Sequence, residues 1–174
     1  MNILTKIIIT DTNIITDLNN AKLLEKFVNL DNVYISDMIK NDEINSKTGN
    51  IKLISKFKVL SSTSKELIEM TQITAIERKL STYDILNFVL AKNNNCILAT
   101  GDDRLKKYSE KNGVEVIRLL KIIELMKENK VITYEEAITS CKLLKENERT
   151  RIPKDSIDAL INKLEKSLKE SCKM

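Results

Sequence analysis

The stretch Ile7–Asn13, with the sequence IIITDTN, begins with three β-branched apolar residues and leads through Thr10 into an acid, Asp11. Residues Cys96–Asp103, CILATGDD, repeat this arrangement late in the chain and end on Asp102 and Asp103. Each run is followed by apolar residues at helical spacing, so each predicts a short buried strand that leads into a helix. Open parallel sheets build their sites at the carboxyl ends of their strands. The two stretches therefore predict an α/β protein with acidic side chains at one edge of the sheet.

The same alternation of strand and helix patterns continues as far as Arg118. The predicted strands and extended segments are Lys6–Thr10, Val33–Ser36, Ile51–Leu60, Ile97–Ala99 and Glu115–Ile117. Helical patterns between them cover Leu18–Val28, the residues after Ser36, Ser64–Leu80, the residues after Ser81 and Asp103–Lys111. Strands that alternate with helices imply a mostly parallel central sheet with right-handed crossovers.

After Arg118 the pattern changes to helices alone. The predicted helices are Leu119–Lys127, Thr133–Leu144 and Lys154–Leu168. We therefore divide the chain into a domain of residues 1–123 and a helical C-terminal extension of residues 124–174. We expect the extension to pack on the domain or on a partner.

The composition fits one modest cytoplasmic domain and excludes several kinds of active site. The chain has 174 residues, of which 42% are hydrophobic and 31% charged, and its formal net charge is +4. This mild positive charge tolerates nucleic acid as a partner without demanding it. The complete absence of histidine excludes a histidine general base, a Ser-His-Asp site and the usual zinc sites. The three cysteines lack metal-like spacing, and no segment resembles a signal peptide or membrane span, so we expect reduced thiols and no membrane binding.

Three acids at strand-to-helix junctions, Asp11, Asp84 and Asp102, have both a structural and a chemical interpretation. Asp11 could end its strand in an Asx-turn, and Asp84 could be the third residue of a helix that Ser81 caps. Asp102 or Asp103 could cap the helix that follows. Capping does not explain why acids recur at these junctions, however. Carboxylates that converge without a lysine or histidine to neutralise them would need a hard divalent cation.

These motifs, in this order, resemble those of the PIN-domain ribonucleases. The matching stretches are Asp11-Thr12-Asn13, Ser81-x-x-Asp84 at the start of a helix that ends in Leu90-Ala91-Lys92, Ile97–Asp102 with Leu105, and Asn112–Ile117. The resemblance covers residues 1–123. It implies a three-layer α/β/α sandwich with a mostly parallel central sheet, to which the helical C-terminal extension is added.

The resemblance also implies a site of four acids that binds Mg²⁺ or Mn²⁺. Three of them are Asp11, Asp84 and Asp102. The fourth is usually a glutamate on the helix after the second strand, and counting from the end of that strand places it at Asp42, with Glu43 as the alternative. Because neighbours on a helix point about 100° apart, only one of the two can face the cluster, and we favour Asp42.

Further polar residues would support these acids. The resemblance implies that Asn13, Ser81 and Thr100 form hydrogen bonds that orient the carboxylates. Asp103 is either an outer ligand or a charge at the N-terminus of a helix, and we favour the second interpretation.

A carboxylate and metal site of this kind limits the chemistry. Mg²⁺ and Mn²⁺ prefer oxygen ligands and activate water for attack on phosphorus. Without histidine, hydrolysis of a phosphodiester by direct water attack is the natural reaction. The resemblance therefore implies a metal-dependent endoribonuclease with RNA as its substrate. For a small stand-alone prokaryotic member it also implies the toxin of a toxin–antitoxin pair, with an antitoxin protein and a second copy of the chain as candidate partners. The alternative is a PIN-fold RNA-binding or scaffold module with a weakened site.

Several side chains near the predicted site could contact the RNA. Arg104, Lys106 and Lys107 follow the last acid and could meet the backbone, or they could form an ordinary solvated helix face. Tyr83 and Tyr108 could stack on unpaired bases. Because aromatic residues make up only 4% of the chain, we expect a structured RNA that is recognised largely by shape.

Overall fold

The computed structural model describes residues 7–9, 12–45, 53 and 55–171, and for residues 8, 9, 12 and 42–45 it describes the backbone alone. Within these ranges the short strands are β1 (Ile7–Ile9), β2 (Val33–Ser36), β3 (Lys58–Leu60), β4 (Ile97–Ala99) and β5 (Val116–Ile117). They form one parallel sheet in the order β3-β2-β1-β4-β5. Ile9 at the end of β1 pairs with Ala99 at the end of β4, so both strands end at the same edge of the sheet.

Helices connect and cover the strands. Those with described bounds are α1 (Thr12–Asn20), α2 (Leu24–Val28), α3 (Asp37–Asn45), α4 (Ser64–Ile76), α5 (Thr82–Asn93), α6 (Asp103–Lys111), α7 (Leu119–Glu128), α8 (Tyr134–Glu146) and α9 (Lys154–Ser171). Ser81 caps α5, Asp102 caps α6 and Thr133 caps α8, each through a side-chain oxygen that accepts from a backbone N–H in the first turn. None of these described helices is both long enough and apolar enough to cross a bilayer.

The buried apolar residues form two clusters, one on each face of the sheet. β4 shows the division, since Ile97 and Ala99 belong to the first cluster and Leu98 between them belongs to the second. Side chains of α1, α2, α7, α8 and α9 complete the first cluster, and those of α5 and α6 complete the second. This arrangement confirms the predicted three-layer α/β/α sandwich with a parallel central sheet.

The C-terminal helices share the first cluster and do not form a separate core. Cys141 and Leu144 of α8 and Ile157 of α9 are fully buried in the cluster that also contains Leu18 of α1. The division of the chain after residue 123 stays a prediction, but that position lies within α7, and the buried cluster continues across it.

Two segments differ from the predictions made from their patterns. The helical pattern over Leu18–Val28 is split into α1 and α2, because Lys22 adopts a φ of 57° and the Leu23 N–H donates to the Leu18 carbonyl at 2.9 Å. This left-handed turn is a common way for a helix to end. Of the extended segment predicted at Ile51–Leu60, the described part forms a strand at Lys58–Leu60 alone.

Candidate active site

A cleft of about 1250 Å³ opens where the chain leaves three neighbouring strands. Its lining includes Asn13 after β1, Asp102 after β4, Arg118 after β5 and Asp84 at the start of α5. The connection between α8 and α9 contributes further lining residues. The cleft therefore lies at the carboxyl ends of the parallel strands, where open sheets place their sites.

Asp84 is held at the start of α5 by a capping box with Ser81. The Ser81 hydroxyl donates to Asp84 Oδ2 at 2.7 Å, and the Ser81 amide donates to the same oxygen at 3.1 Å. In return, the Asp84 amide donates to Ser81 Oγ at 3.1 Å. These bonds satisfy amides that the first helical turn leaves unpaired, and they fix the orientation of the carboxylate. The capping interpretation of Asp84 is confirmed, and the role of Ser81 in orienting a metal-binding carboxylate stays a prediction.

Asp102 is the N-cap of α6. Its Oδ1 accepts from the Arg104 amide at 2.7 Å and from the Leu105 amide at 2.8 Å. The Asp102 amide donates to the hydroxyl of the fully buried Thr100 at 3.0 Å. The capping interpretation of Asp102 is therefore confirmed. Thr100 positions this acid through its backbone and not through its carboxylate.

Each of these two acids uses one carboxylate oxygen for capping. Neither Asp84 Oδ1 nor Asp102 Oδ2 accepts a hydrogen bond from a described residue. Because both side chains line the same cleft, two carboxylate oxygens are available there, and such oxygens are the ligands that Mg²⁺ and Mn²⁺ prefer. In the part of the chain that the structure describes, no group of three or more acids and cysteines could hold a metal ion. Asp84 and Asp102 are the two of the four predicted acids whose side chains are described. Capping and metal binding are compatible roles for both acids.

The other predicted ligands cannot be placed in the same way. Asp11 lies outside the described residues. Asp42 and its alternative Glu43 lie on α3, but their side chains fall outside the description, so the choice between them stays a prediction. Asn13 is exposed and lines the cleft. The metal-binding role of the four acids likewise stays a prediction.

Asp103 forms an ion pair at the N-terminus of α6. Its carboxylate accepts a hydrogen bond from Nη2 of Arg118, whose Nη1 donates to the Gly101 carbonyl at 2.9 Å. The hydrogen bond and charge of the guanidinium lower the pKa of Asp103 below its ordinary value. The pair ties the residue after β5 to the turn after β4. This contact favours the helix-terminal charge over the outer ligand as the role of Asp103.

The structure distinguishes Arg104, Lys106 and Lys107, the basic side chains that could either contact RNA or form a solvated helix face. Arg104 lines the cleft. Lys106 instead pairs with Glu110 along α6, at 3.8 Å, and Lys107 is exposed without lining the cleft. Of these three, Arg104 alone lies at the cleft, and RNA contact stays a prediction.

The two tyrosines have different environments. Tyr108 packs edge-on against Phe88 with ring centroids 5.0 Å apart, and burial raises the pKa of its hydroxyl. Tyr108 therefore packs against the second cluster and does not line the cleft, and its stacking role stays a prediction. Tyr83 is exposed, next to Asp84 at the start of α5, so its stacking role stays a prediction.

Asp37 is another acid that directly follows a strand, and it was not among the predicted site residues. Its carboxylate accepts from the Ser62 hydroxyl at 2.8 Å, the Ser62 amide at 3.0 Å and the Met38 amide at 2.9 Å. These bonds tie the start of α3 to the segment after β3. An acid at a strand end therefore marks structural junctions as well as sites.

Two cleft residues on the connection between α8 and α9 were also absent from the predicted site. Arg149 and Arg151 line the cleft from this connection. In the sequence they mark a break between two helices. Nothing in their spacing relates them to Asp84 and Asp102, which lie much earlier in the chain.

Comparisons with known proteins identify the family. A family model, DUF3368, whose description is PIN domain, matches residues 7–166. The comparison with curated proteins gave no match. Among solved structures, the crystal structure of PAE2754 from Pyrobaculum aerophilum is similar, with a TM-score of 0.48 and 18% sequence identity over 68% of this chain and 86% of that chain. Because the family model spans most of the chain, including α8 and most of α9, this chain belongs to the PIN domain family.

Proposed function

We propose that this protein is a divalent-metal-dependent endoribonuclease that hydrolyses RNA phosphodiester bonds in the cytoplasm. One observation carries the proposal. Asp84 and Asp102, on different elements, line one cleft, and each keeps one carboxylate oxygen free of hydrogen bonds to described residues. Family membership supports it, because PIN domains have a nuclease-type fold and generally depend on divalent metals.

In this proposal Asp84 and Asp102 bind Mg²⁺ or Mn²⁺ together with Asp11 and Asp42, or Glu43 in place of Asp42. When bound, the cation supplies an acidified water and positive charge that offsets the charge developing on the phosphate. Capping holds the two described carboxylates in fixed orientations, so their side chains lose little further freedom when they act as ligands. Since the chain has no histidine, the carboxylates must themselves orient the attacking water.

The test uses a circular single-stranded RNA, which an endonuclease can open and an exonuclease cannot. Purified protein is incubated with this RNA and with total RNA in Mn²⁺, Mg²⁺ or EDTA, beside the variants Asp11→Asn, Asp84→Asn and Asp102→Asn. Asp31→Asn is the matched control, because it removes the same charge from an exposed residue that does not line the cleft. We expect metal-dependent opening by the parent and the control and loss of opening in the three site variants.

Cleavage that survives the three site substitutions, or that is unchanged in EDTA, would overturn the proposal. RNA that is bound but not cut by the parent in either metal would also overturn it. That outcome would favour the PIN-fold RNA-binding or scaffold module.

The family resemblance also supports a more specific role, the toxin of a toxin–antitoxin pair with a small antitoxin protein as partner. Controlled expression of the parent should then arrest growth, and Asp102→Asn should not. Coexpression of a small protein encoded beside this gene should relieve the arrest. Unaffected growth with an active enzyme would contradict the toxin role and leave the nuclease proposal standing.

Light scattering of the purified chain tests the further proposal of a homodimer.

A further inference from the structure

The cleft contains basic groups that the proposed metal site does not use. Arg149 and Arg151 line it from the α8–α9 connection, residues 147–153, which we call the arginine loop. Both are exposed, and neither guanidinium forms an ion pair with any residue in the described ranges. Arg118, in contrast, is paired with Asp103. Besides Arg104, the two guanidinium groups of the arginine loop are therefore available to a ligand.

The backbone of the arginine loop is anchored on both sides. The Arg149 amide donates to Asn147 Oδ1 at 3.0 Å, and the Thr150 amide donates to the Asn147 carbonyl at 3.1 Å. The Thr150 hydroxyl donates to Asp17 Oδ1 on α1 at 3.4 Å, and Ile152 packs against the first apolar cluster. Because the loop backbone is already ordered, less conformational freedom is lost when its arginines bind a ligand.

The charges of the cleft indicate the chemistry of that ligand. Asp84 and Asp102 on their own would repel a polyanion, and guanidinium groups in the same cleft offset this repulsion. Guanidinium also binds phosphate oxygens with paired hydrogen bonds. The cleft volume of about 1250 Å³ exceeds the range of about 300–1,000 Å³ that is typical of small-molecule sites. A polymer that carries a phosphate at every repeat fits both the size and the charge.

We propose that the arginine loop binds the phosphate backbone of the RNA substrate, with Arg149 and Arg151 each contacting a phosphate. This inference rests on the proposed function, since it assigns these residues to positioning of the same substrate across Asp84 and Asp102. It also gives the C-terminal helices a part in the substrate site, because α8 and α9 hold the loop at both ends.

The test measures the binding of a fluorescein-labelled oligouridine over a series of KCl concentrations in EDTA, where metal-dependent cleavage does not occur. The double variant Arg149→Ala/Arg151→Ala is compared with the parent. Each phosphate contact contributes about 0.7 to the slope of log affinity against log salt for single-stranded nucleic acid. Loss of two contacts should lower the slope by about 1.4. If the parent and the variant bind the oligouridine equally at roughly 1 M KCl, the variant should bind it about 25-fold more weakly than the parent at roughly 0.1 M KCl.

Two further variants separate this effect from folding and from net charge. Arg149→Lys/Arg151→Lys keeps both charges and should keep most of the slope. Lys142→Ala/Lys166→Ala removes the same charge from exposed positions of α8 and α9 that do not line the cleft, and it should leave the slope unchanged. An unchanged slope in the alanine variant of the arginine loop, or an equal loss in the lysine control, would overturn the inference.

Cleavage kinetics keep this inference separate from the proposed function. With an active parent, the alanine variant of the arginine loop should raise KM and change kcat little, whereas Asp102→Asn should lower kcat. A parent that binds oligouridine without cleaving any RNA would overturn the nuclease proposal. The salt slopes would still decide whether the arginine loop binds phosphate.

Discussion

Asp102 combines a structural role with its proposed role as a metal ligand, and two substitutions can separate them. As the N-cap of α6, its Oδ1 accepts backbone bonds of 2.7 Å and 2.8 Å. As a metal ligand it would need its negative charge. Asp102→Asn keeps the cap, because asparagine and aspartate cap helices about equally well, and it removes the charge. Asp102→Ala removes both.

The expected magnitudes follow from these contacts. Loss of an N-cap costs about 1 kcal/mol, which corresponds to a decrease in Tm of about 2–4 °C in a chain of this size. Asp102→Ala should show this decrease. Asp102→Asn should show a smaller one, because it keeps the cap and loses only the charge at the helix N-terminus. Both substitutions should lower the rate of RNA cleavage by more than the roughly 10–100-fold that is typical when a residue supporting a metal ligand is removed.

Thermal unfolding in EDTA and cleavage of circular RNA in Mn²⁺ are measured on the same preparations. Thr133→Ala is the control, since Thr133 Oγ1 accepts from the Glu136 amide at 3.2 Å as the N-cap of α8 and Thr133 does not line the cleft. It should lower Tm about as much as Asp102→Ala and leave cleavage intact. If Asp102→Asn cleaves RNA as fast as the parent, the charge of Asp102 is not needed, and the assignment of this residue as a ligand is refuted.

Three further predictions concern the surroundings of the site and the fold. Thr100→Val removes the hydroxyl that accepts from the Asp102 amide, so the free energy of unfolding measured in urea should fall by about 0.5–1.5 kcal/mol, and the rate of RNA cleavage should fall as well. An unchanged rate of cleavage would show that the turn before α6 does not need this hydrogen bond. Arg118 lowers the pKa of Asp103, so the pair should stabilise the fold above the unfolded carboxyl pKa of about 3.9 and lose this effect as the pH falls through the lower folded value. The difference in Tm between the parent and Asp103→Asn should therefore be present at neutral pH and vanish in strong acid, and a constant difference would contradict the pairing. Ile157→Ala truncates a fully buried side chain of α9, so the free energy of unfolding should fall by about 2–5 kcal/mol, and the whole chain should still unfold in one transition. A second transition would show that the C-terminal helices fold separately.

The beginnings of the helices near the site could be predicted from the sequence, because the interactions that define them are local. The capping bonds of α5 and α6 join residues no more than three positions apart, such as Ser81 with Asp84 and Asp102 with Leu105. Side-chain oxygens at that spacing reach the unpaired amides of a first turn whatever the rest of the chain does. The alternation of strands and helices, and with it the parallel sheet, could be predicted for a similar reason.

The same local pattern could not separate site acids from structural ones. Asp37 and Asp102 both lie just beyond a strand end, yet the Asp37 carboxylate is bound by Ser62, which lies 25 positions further along the chain. The Asp102 carboxylate keeps one oxygen without a hydrogen bond to any described residue, and it faces a cleft. Which carboxylates remain available thus depends on long-range partners.

By itself, the sequence determined the strand-to-acid junctions, the helix caps and the absence of any histidine chemistry. The tertiary structure alone decided that Arg149 and Arg151 line the cleft of Asp84 and Asp102. Helical periodicity indicates which face of α8 and α9 is apolar, but it does not specify the surface on which that face is buried. Burial of α8 and α9 in the cluster that contains α1 brings Thr150 within hydrogen-bond distance of Asp17, 133 positions earlier, and this packing places the arginine loop beside the acids.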